Sequence, residues 1–332
     1  LTVFDASGTQ THQIALGALS PQQVLASSDA FFVGGITKSA TSNATPAQFV
    51  AYDATTGTQR WQHALSNANV SALDNFVIVG QDLIGNLETQ NGPLLTAFDI
   101  TNGAQAWQVT PGSGGAAGGG IGAGSDAVYV VQFTPPANPT QKAGQTLVAY
   151  AAATGARRWS VPFTPSGAAS AVEVQILAAD QNAVYCTVIS SSSSTNATTM
   201  LTAFAASDGH ALWSVPEIAP LSSESGPASI ANGVLYATAT AQGSSTSMEP
   251  PPSTLFAVNI STGATLWSKS LGGTALTTPV IADNAVYIGM LITTGTLTAG
   301  NTSIVAFHAA DGSALWQIQT TAPSLGSLVA FS

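Results

Sequence analysis

The stretch Val50–Trp61 reads VAYDATTGTQRW: an apolar residue, Ala, an aromatic ring, a polar turn with Gly, and then Trp. The same grammar returns as LTAFDITNGAQAW closing at Trp107, LVAYAAATGARRW at Trp159, LTAFAASDGHALW at Trp213, LFAVNISTGATLW at Trp267 and IVAFHAADGSALW at Trp316. All six Trp residues of the chain end such a segment, at separations of 46, 52, 54, 54 and 49 residues. Self-similarity at this period marks a repeat architecture, whose units stack around one continuous core. The 332 residues are therefore read as a single domain, 1–332, although length alone would allow two.

Outward from the motif, the unit ending at Trp316 contains TTPVI (Thr277–Ile281), a turn at ADN, and AVYIGML (Ala285–Leu291). A Thr/Gly-rich loop, SIVAFHA (Ser303–Ala309), a turn around Asp311 and Gly312, and SALWQIQ (Ser313–Gln319) complete it. Four short strands joined by polar turns is the reading. Second strands of the other units are assigned to AFFVGGI from Ala30, NFVIVG from Asn75, AVYVVQF from Ala127, AVYCTVI from Ala183 and VLYATAT from Val234. Repeated four-stranded units of this length indicate a β-propeller, one unit per blade.

A shorter copy, LTVFDASGTQTHQ, begins at Leu1, puts His12 at the Trp position and brings the count to seven. It holds only third and fourth strands, whereas the tail after Trp316 reads as first and second strands. The expected fold is thus an all-β, seven-bladed propeller of four-stranded antiparallel blades. Its closure is expected from pairing an N-terminal half-blade, about 1–16, with a C-terminal half-blade, 319–332, which would remove exposed sheet edges. The motif itself is read as structural. Gly57, Gly103, Gly155, Gly209, Gly263 and Gly312 supply the positive φ of the turn between strands three and four. Trp61, Trp107, Trp159, Trp213, Trp267 and Trp316 then cover the seam to the adjacent blade.

These segments resemble the quinoprotein-type, or PQQ-like, propeller repeat, whose blade signature is A-x-D-x-x-T-G-x-x-x-W. The copy ending at Trp61 matches in full through Ala51, Asp53, Thr56 and Gly57. That at Trp107 has Asn102 for Thr, those at Trp159 and Trp267 have Ala151 and Asn259 for Asp, and those at Trp213 and Trp316 use Asp-Gly. The resemblance implies the fold over nearly the whole chain. The family includes quinone dehydrogenases, outer-membrane assembly scaffolds and sensor domains of kinases. Its dehydrogenases are known for eight blades, a Ca²⁺ ion and often a disulfide between adjacent cysteines. With one Cys and every Trp committed to a blade, the chain is placed in the non-catalytic branch, with no cofactor and no metal site expected.

Composition narrows the partners. Only 7% of residues are charged, against a usual share of about a quarter. A net charge of -10 and a pI near 4.4 disfavour nucleic acid and anionic lipid. Cys186 lies in an apolar run and is read as packing. No apolar stretch is long enough for a transmembrane helix, and a chain opening at Leu1 is expected to be processed or cut from something longer.

Of the 11 Asp residues, ten fall in repeat turns. Asp5, Asp53, Asp99, Asp208 and Asp311 are assigned between strands three and four, and Asp29, Asp74, Asp126, Asp180 and Asp283 between strands one and two. Asp82 stands outside the set, and Glu88 lies in a longer loop. In the run AVEVQIL, alternation aims Glu173 and Gln175 at the central channel while Val172, Val174 and Ile176 pack between sheets. Asp82, Glu88, Glu173 and Gln175 are the candidate ligand-contacting residues. His12, His63, His210 and His308 show no metal spacing. The Gly run from Gly112 to Gly124 lacks the Lys-Ser/Thr of a phosphate loop and is read as a loop passing close to the channel mouth.

Long insertions from Ser39, Ile84, Thr134, Ser190, Gln242 and Thr293 are all assigned between strands two and three, so length variation gathers on one face of the ring. The expectation is an extracytoplasmic prokaryotic protein, secreted, periplasmic or at the cell surface. It is expected to act as a non-catalytic binding or assembly module for a protein or a neutral polar ligand, glycans included, with self-association open. Two alternatives stand: a structural subunit of a surface fibre or the sensor part of a larger receptor, and a quinone- or Ca²⁺-dependent oxidoreductase using the channel.

Overall fold

A computed structural model describes residues 1–4, 10–37, 47–65, 70–89, 92–111, 116–136, 138, 140–193, 196–216, 228–240, 252–292 and 301–320. Every regular element among them is a β-strand. Blade 1 comprises Leu19–Ala26, Ala30–Thr37, Ala47–Asp53 and Gln59–Ala64, and blade 2 comprises Val70–Val79, Asp82–Thr89, Gly92–Asp99 and Gln105–Val109. Blade 3 is Ala116–Ala123, Ala127–Thr134, Gly144–Ala151 and Arg157–Phe163; blade 4 is Ala171–Ala179, Ala183–Ser193, Asn196–Ala205 and Ala211–Pro216. Blade 5 is Ser229–Ala231, Val234–Thr240, Ser253–Asn259 and Thr265–Ser270. In blade 6 the first strand is broken into Thr274–Ala275 and Val280–Ala282, both paired to Ala285–Ile292, followed by Asn301–His308 and Ala314–Gln319. Within each blade the strands follow chain order and all pairs are antiparallel.

The propeller has six four-stranded blades, which corrects the count of seven. The first copy forms a two-stranded sheet, Thr2–Phe4 with Gln10–Gln13, in which Thr2 pairs with Gln13 and Val3 with His12. Strands of three and four residues with no further partner among the described residues make a hairpin and not a blade. Residues 321–332, which were to complete it, lie outside the described residues. The hairpin stacks on blade 1, where Leu1, Ile14 and Leu16 join the cluster of Leu19, Val24, Phe31, Val50 and Tyr52.

Burial explains why the middle strands read as unbroken apolar runs. Blades 2 to 5 are covered on both faces by their neighbours, and blade 1 by blade 2 and the N-terminal hairpin, so Phe31, Phe32 and Val33, or Val128, Tyr129 and Val130, are buried in succession. Fourth strands are edges, and ALWSVP (Ala211–Pro216) alternates exposed with half-buried residues. The hydrophobic clusters are correspondingly shared between blades. One joins Phe49 of blade 1 with Phe76 and Phe98 of blade 2, and another joins Leu177 and Tyr185 of blade 4 with Leu235 and Phe256 of blade 5.

Three local assignments differ from the sequence reading. NFVIVG ends the first strand of blade 2, because the chain turns at Gly80 (φ 61°) and resumes at Asp82. Asp74 therefore lies within a strand, and the stretch from Ile84 is strand instead of insertion. The Ser/Thr run from Ser190 continues a hairpin paired as far as Ser193 with Asn196. The Gly run contains a strand, Ala116–Ala123. A Cβ on Gly122 would lie 2.7 Å from Ile176 Cγ2, so missing side chains let the first strand of blade 3 lie against that of blade 4.

Candidate functional site

The seams come first, since they hold every other group in place. Ala51, Ala97, Ala149, Ala203, Ala257 and Ala306 are fully buried. Each is in register between a second-strand residue and the fourth-strand Trp, as in Tyr185, Ala203 and Trp213. A methyl side chain lets the two large neighbours lean together across it. Ring centroids are 6.0 Å apart for Phe32 and Trp61, 5.6 Å for Tyr129 and Trp159, 6.0 Å for Tyr185 and Trp213, 6.0 Å for Tyr236 and Trp267, and 5.7 Å for Tyr287 and Trp316. In blade 2 Ile84 takes the place of the aromatic residue.

The opposite side of the Trp ring meets the turn glycine of the next blade. Gly103 sits under Trp61, Gly155 under Trp107, Gly209 under Trp159, Gly263 under Trp213 and Gly312 under Trp267; in each pair a Cβ on the glycine would be 2.7 Å from Cε3. The indole N–H donates across the seam to a carbonyl of that turn: Trp61 to Ile100 (2.8 Å), Trp107 to Ala152 (2.6 Å), Trp159 to Ala206 (2.8 Å), Trp213 to Ile260 (2.8 Å) and Trp267 to Ala309 (3.1 Å). Over Gly57 the N-terminal hairpin places Ile14, whose Cγ1 is 3.0 Å from the Cβ position. The five seams from blade 1 to blade 6 are thus closed by apolar area and one satisfied polar atom each.

Side chains of a strand stand perpendicular to its sheet, so those of a first strand aim at neighbouring blades. Val174 and Ile176 pack into the cluster between blades 3 and 4. Glu173 and Gln175 occupy the other side of the strand; Gln175 is buried, Glu173 half-buried, and the Gln175 amide donates to Glu173 Oε1 at 2.8 Å. Asp82 opens the second strand of blade 2 directly opposite Asp99. Partial burial, and then the charge of Asp99, push the Asp82 carboxyl above its ordinary range. Asp99 itself is held low by the Thr101 hydroxyl and by backbone N–H groups. Glu88 lies near the other end of that strand, its backbone opposite Ala72 and Pro93; its side chain is outside the described residues. The four named candidates therefore divide between blades 2 and 4 and do not converge.

Two glutamines that carry no sequence motif do stitch adjacent blades. Gln23 acts as a surrogate peptide group: its Nε2 donates to the Phe76 carbonyl (3.1 Å) and its Oε1 accepts from the Phe76 N–H (2.8 Å). Gln145 accepts from the Val174 N–H at 2.5 Å. Neither strand, LSPQQVLA nor GQTLVAYA, marks its glutamine out in the sequence.

The two ends of the strands differ. Third-to-fourth connections are five residues in every blade (54–58, 100–104, 152–156, 206–210, 260–264, 309–313), and first-to-second connections are two or three. All six longer turns close alike, with the glycine N–H donating to the carbonyl four residues before it, as from Gly57 to Asp53 and Gly312 to His308. Second-to-third connections run from two residues (90–91 and 194–195) to twelve (241–252). On the turn face Arg60 bridges Asp29 (2.6 Å) and Asp53 (2.8 Å), and Arg158 pairs with Asp126 (2.8 Å). Arg60 is the main reason that Asp29 and Asp53 sit below the usual carboxylate range, with Thr56 adding to the effect at Asp53.

The family profile described as outer membrane protein assembly factor BamB matches residues 1–194, 90–250 and 197–332, which together span the whole chain. The chain belongs to this family. Among solved structures, BamB from Moraxella catarrhalis is similar at 17% identity and a TM-score of 0.49, covering 93% of this chain and 79% of that one. A quinohemoprotein alcohol dehydrogenase from Pseudomonas putida HK5 is similar at 13% identity and 0.49, covering 90% of this chain; the chain spans only 58% of that one's length. A chain of the Mitotic Checkpoint Complex reaches a TM-score of 0.56 at 11% identity, covering 96% and 90%. At such identities these likenesses concern the fold. No curated protein matches the chain.

Among the described residues no three His, Cys, Asp or Glu side chains converge as metal donors. Cys186 is wholly buried, its thiol pushed up by desolvation, and five indoles are already committed to seams. No helix among the described residues is long and apolar enough to cross a membrane, which leaves β-barrel spans unaddressed.

Proposed function

We propose that this BamB-family propeller is a non-catalytic binding and assembly module of a bacterial cell envelope, presenting the face of its second-to-third-strand connections to a protein partner. The observation that carries the reading is the contrast between the two faces. On one, six turns share one length and one hydrogen-bond pattern; on the other, connections vary from two to twelve residues. Loops free of a structural template can take the shape of a partner while the blades stay unchanged. The family description, an outer membrane protein assembly factor, supports the envelope setting and a protein as the partner.

The test is photo-crosslinking in intact cells, with the reactive side chain at Thr140 in the connection 135–143 or at Thr55 on the turn face of blade 1. A discrete adduct with an envelope protein from Thr140 and none from Thr55 is expected. Adducts from neither, together with alcohol oxidation by purified protein supplied with pyrroloquinoline quinone and Ca²⁺, would overturn it.

A further inference from the structure

The residue before each Trp is an extra one in its edge strand. In blade 4, Trp213 is opposite Ala203 and Ala211 is opposite Phe204, which leaves Leu212 as a bulge. The same shift sets aside Leu266 in blade 5, Leu315 in blade 6, Arg60 in blade 1 and Arg158 in blade 3. A bulge re-aims its side chain. In blades 1 and 3 it aims arginine at the turn face, where Arg60 meets Asp29 and Asp53 and Arg158 meets Asp126. In blades 4, 5 and 6 the same device presents leucine instead. Leu212, Leu266 and Leu315 are 48%, 53% and 41% exposed, and they are three of the four large apolar side chains so exposed among the described residues.

We propose that the turn face of blades 4 to 6 is a second docking surface, and that its occupant is a cationic, leucine-rich segment of a partner protein. Scattered single apolar residues need no explanation, but one per blade at the same register position on three consecutive blades is a repeated feature of this face. The turns at this end of the strands carry Asp180 and Asp208 in blade 4, the latter against the His210 ring (2.6 Å), and Asp283 and Asp311 in blade 6. Beyond Arg158 the chain has a single Lys or Arg, Lys269, near the far end of its strand opposite Leu255. Acidic turns at the end of the blades that carry these leucines favour a partner that offers both leucine and lysine or arginine. The same charge repels a second copy of this face and an anionic bilayer.

The surface is separate from the variable face, so its test stands apart from the crosslinking above. The full chain is titrated against a fluorescein-labelled amphipathic peptide, two copies of LKKLLKL, and against the analogue with Ser for each Lys. Wild type should bind the Lys peptide, more weakly as salt rises, and should bind the Ser analogue at least tenfold less well. L212Q/L266Q/L315Q should lose at least tenfold in affinity with its thermal midpoint unchanged. L212R/L315R, which copies the residue native to blades 1 and 3 and so keeps the fold, should lose at least as much. Affinity within twofold of wild type in both variants, equal binding of the Ser analogue, or stronger binding of wild type to anionic vesicles than to the Lys peptide would overturn the proposal.

Discussion

Blade 5 contains its own control for the Trp–Gly seam. Gly263 (φ 74°) and Gly233 (φ 76°) share the left-handed conformation, but a Cβ on Gly233 meets nothing within 4 Å. On Gly263 it would lie 2.7 Å from Trp213 Cε3, 2.9 Å from Cζ3 and 3.1 Å from Val215 Cγ2. Gly233→Ala should therefore cost only the backbone strain, about 1–2 kcal/mol. Gly263→Ala adds overpacking of about 1–3 kcal/mol. If the displaced indole loses its 2.8 Å bond to the Ile260 carbonyl, a further loss of about 1 kcal/mol follows. The two variants should thus differ by about 1–3 kcal/mol with that bond kept and about 2–4 kcal/mol with it lost. Urea unfolding, followed by far-ultraviolet circular dichroism and by Trp fluorescence, measures the difference and checks that one transition is seen. In a Trp213→Leu background the Gly263 substitution should cost no more than that at Gly233. Equal destabilisation by the two single substitutions, within about 0.5 kcal/mol, would refute the seam as the reason for the repeated Gly.

Ala203→Leu should destabilise by about 1–3 kcal/mol in the same assay, because Tyr185 and Trp213 already meet across that methyl group at 6.0 Å. Asp29 and Asp53 are held low by Arg60, so their contribution is complete above the unfolded carboxylate pKa of about 4 and is lost as pH falls through the folded values. Midpoints measured from pH 5 to 2 should fall less steeply for Arg60→Leu than for wild type, by the small amount expected of an exposed pair. Asp82 has the opposite sign: its raised carboxyl makes the ionised form unfavourable in the fold, a burden present at pH 7 and relieved on acidification. Asp82→Asn should raise the midpoint at pH 7 and have a smaller effect near pH 3. Cys186, fully buried, should resist an aromatic disulfide reagent in the native state and react at the rate of unfolding, as read by thiolate release.

The Trp-terminated motif carried the blade architecture because its constraints are local in sequence. A five-residue turn with Gly, a fully buried Ala and a Trp recur at fixed offsets whatever lies between them. Strand boundaries in blade 2 were less legible, since NFVIVG and DLIGNLET are both plausible second strands until the turn at Gly80 is known. Nor does a single sequence distinguish a half-blade from a hairpin. That depends on whether strands distant in the chain reach the same edge, and among the described residues the first copy forms two strands only.

The candidate site was less legible than the fold. Asp82 and Glu173 stood out as charges without a turn to explain them, yet they lie in different blades. Gln23 and Gln145, which join neighbouring blades, and the leucines at the bulges looked like ordinary strand residues. The amino-acid order by itself determined a propeller built from repeated, self-satisfying turns, and a charge balance unsuited to nucleic acid or anionic lipid. Tertiary structure alone decided the number of complete blades, the partners across each seam, and which side chains share a face. Those depend on residues about fifty positions apart meeting through space, and period and composition are silent about such contacts.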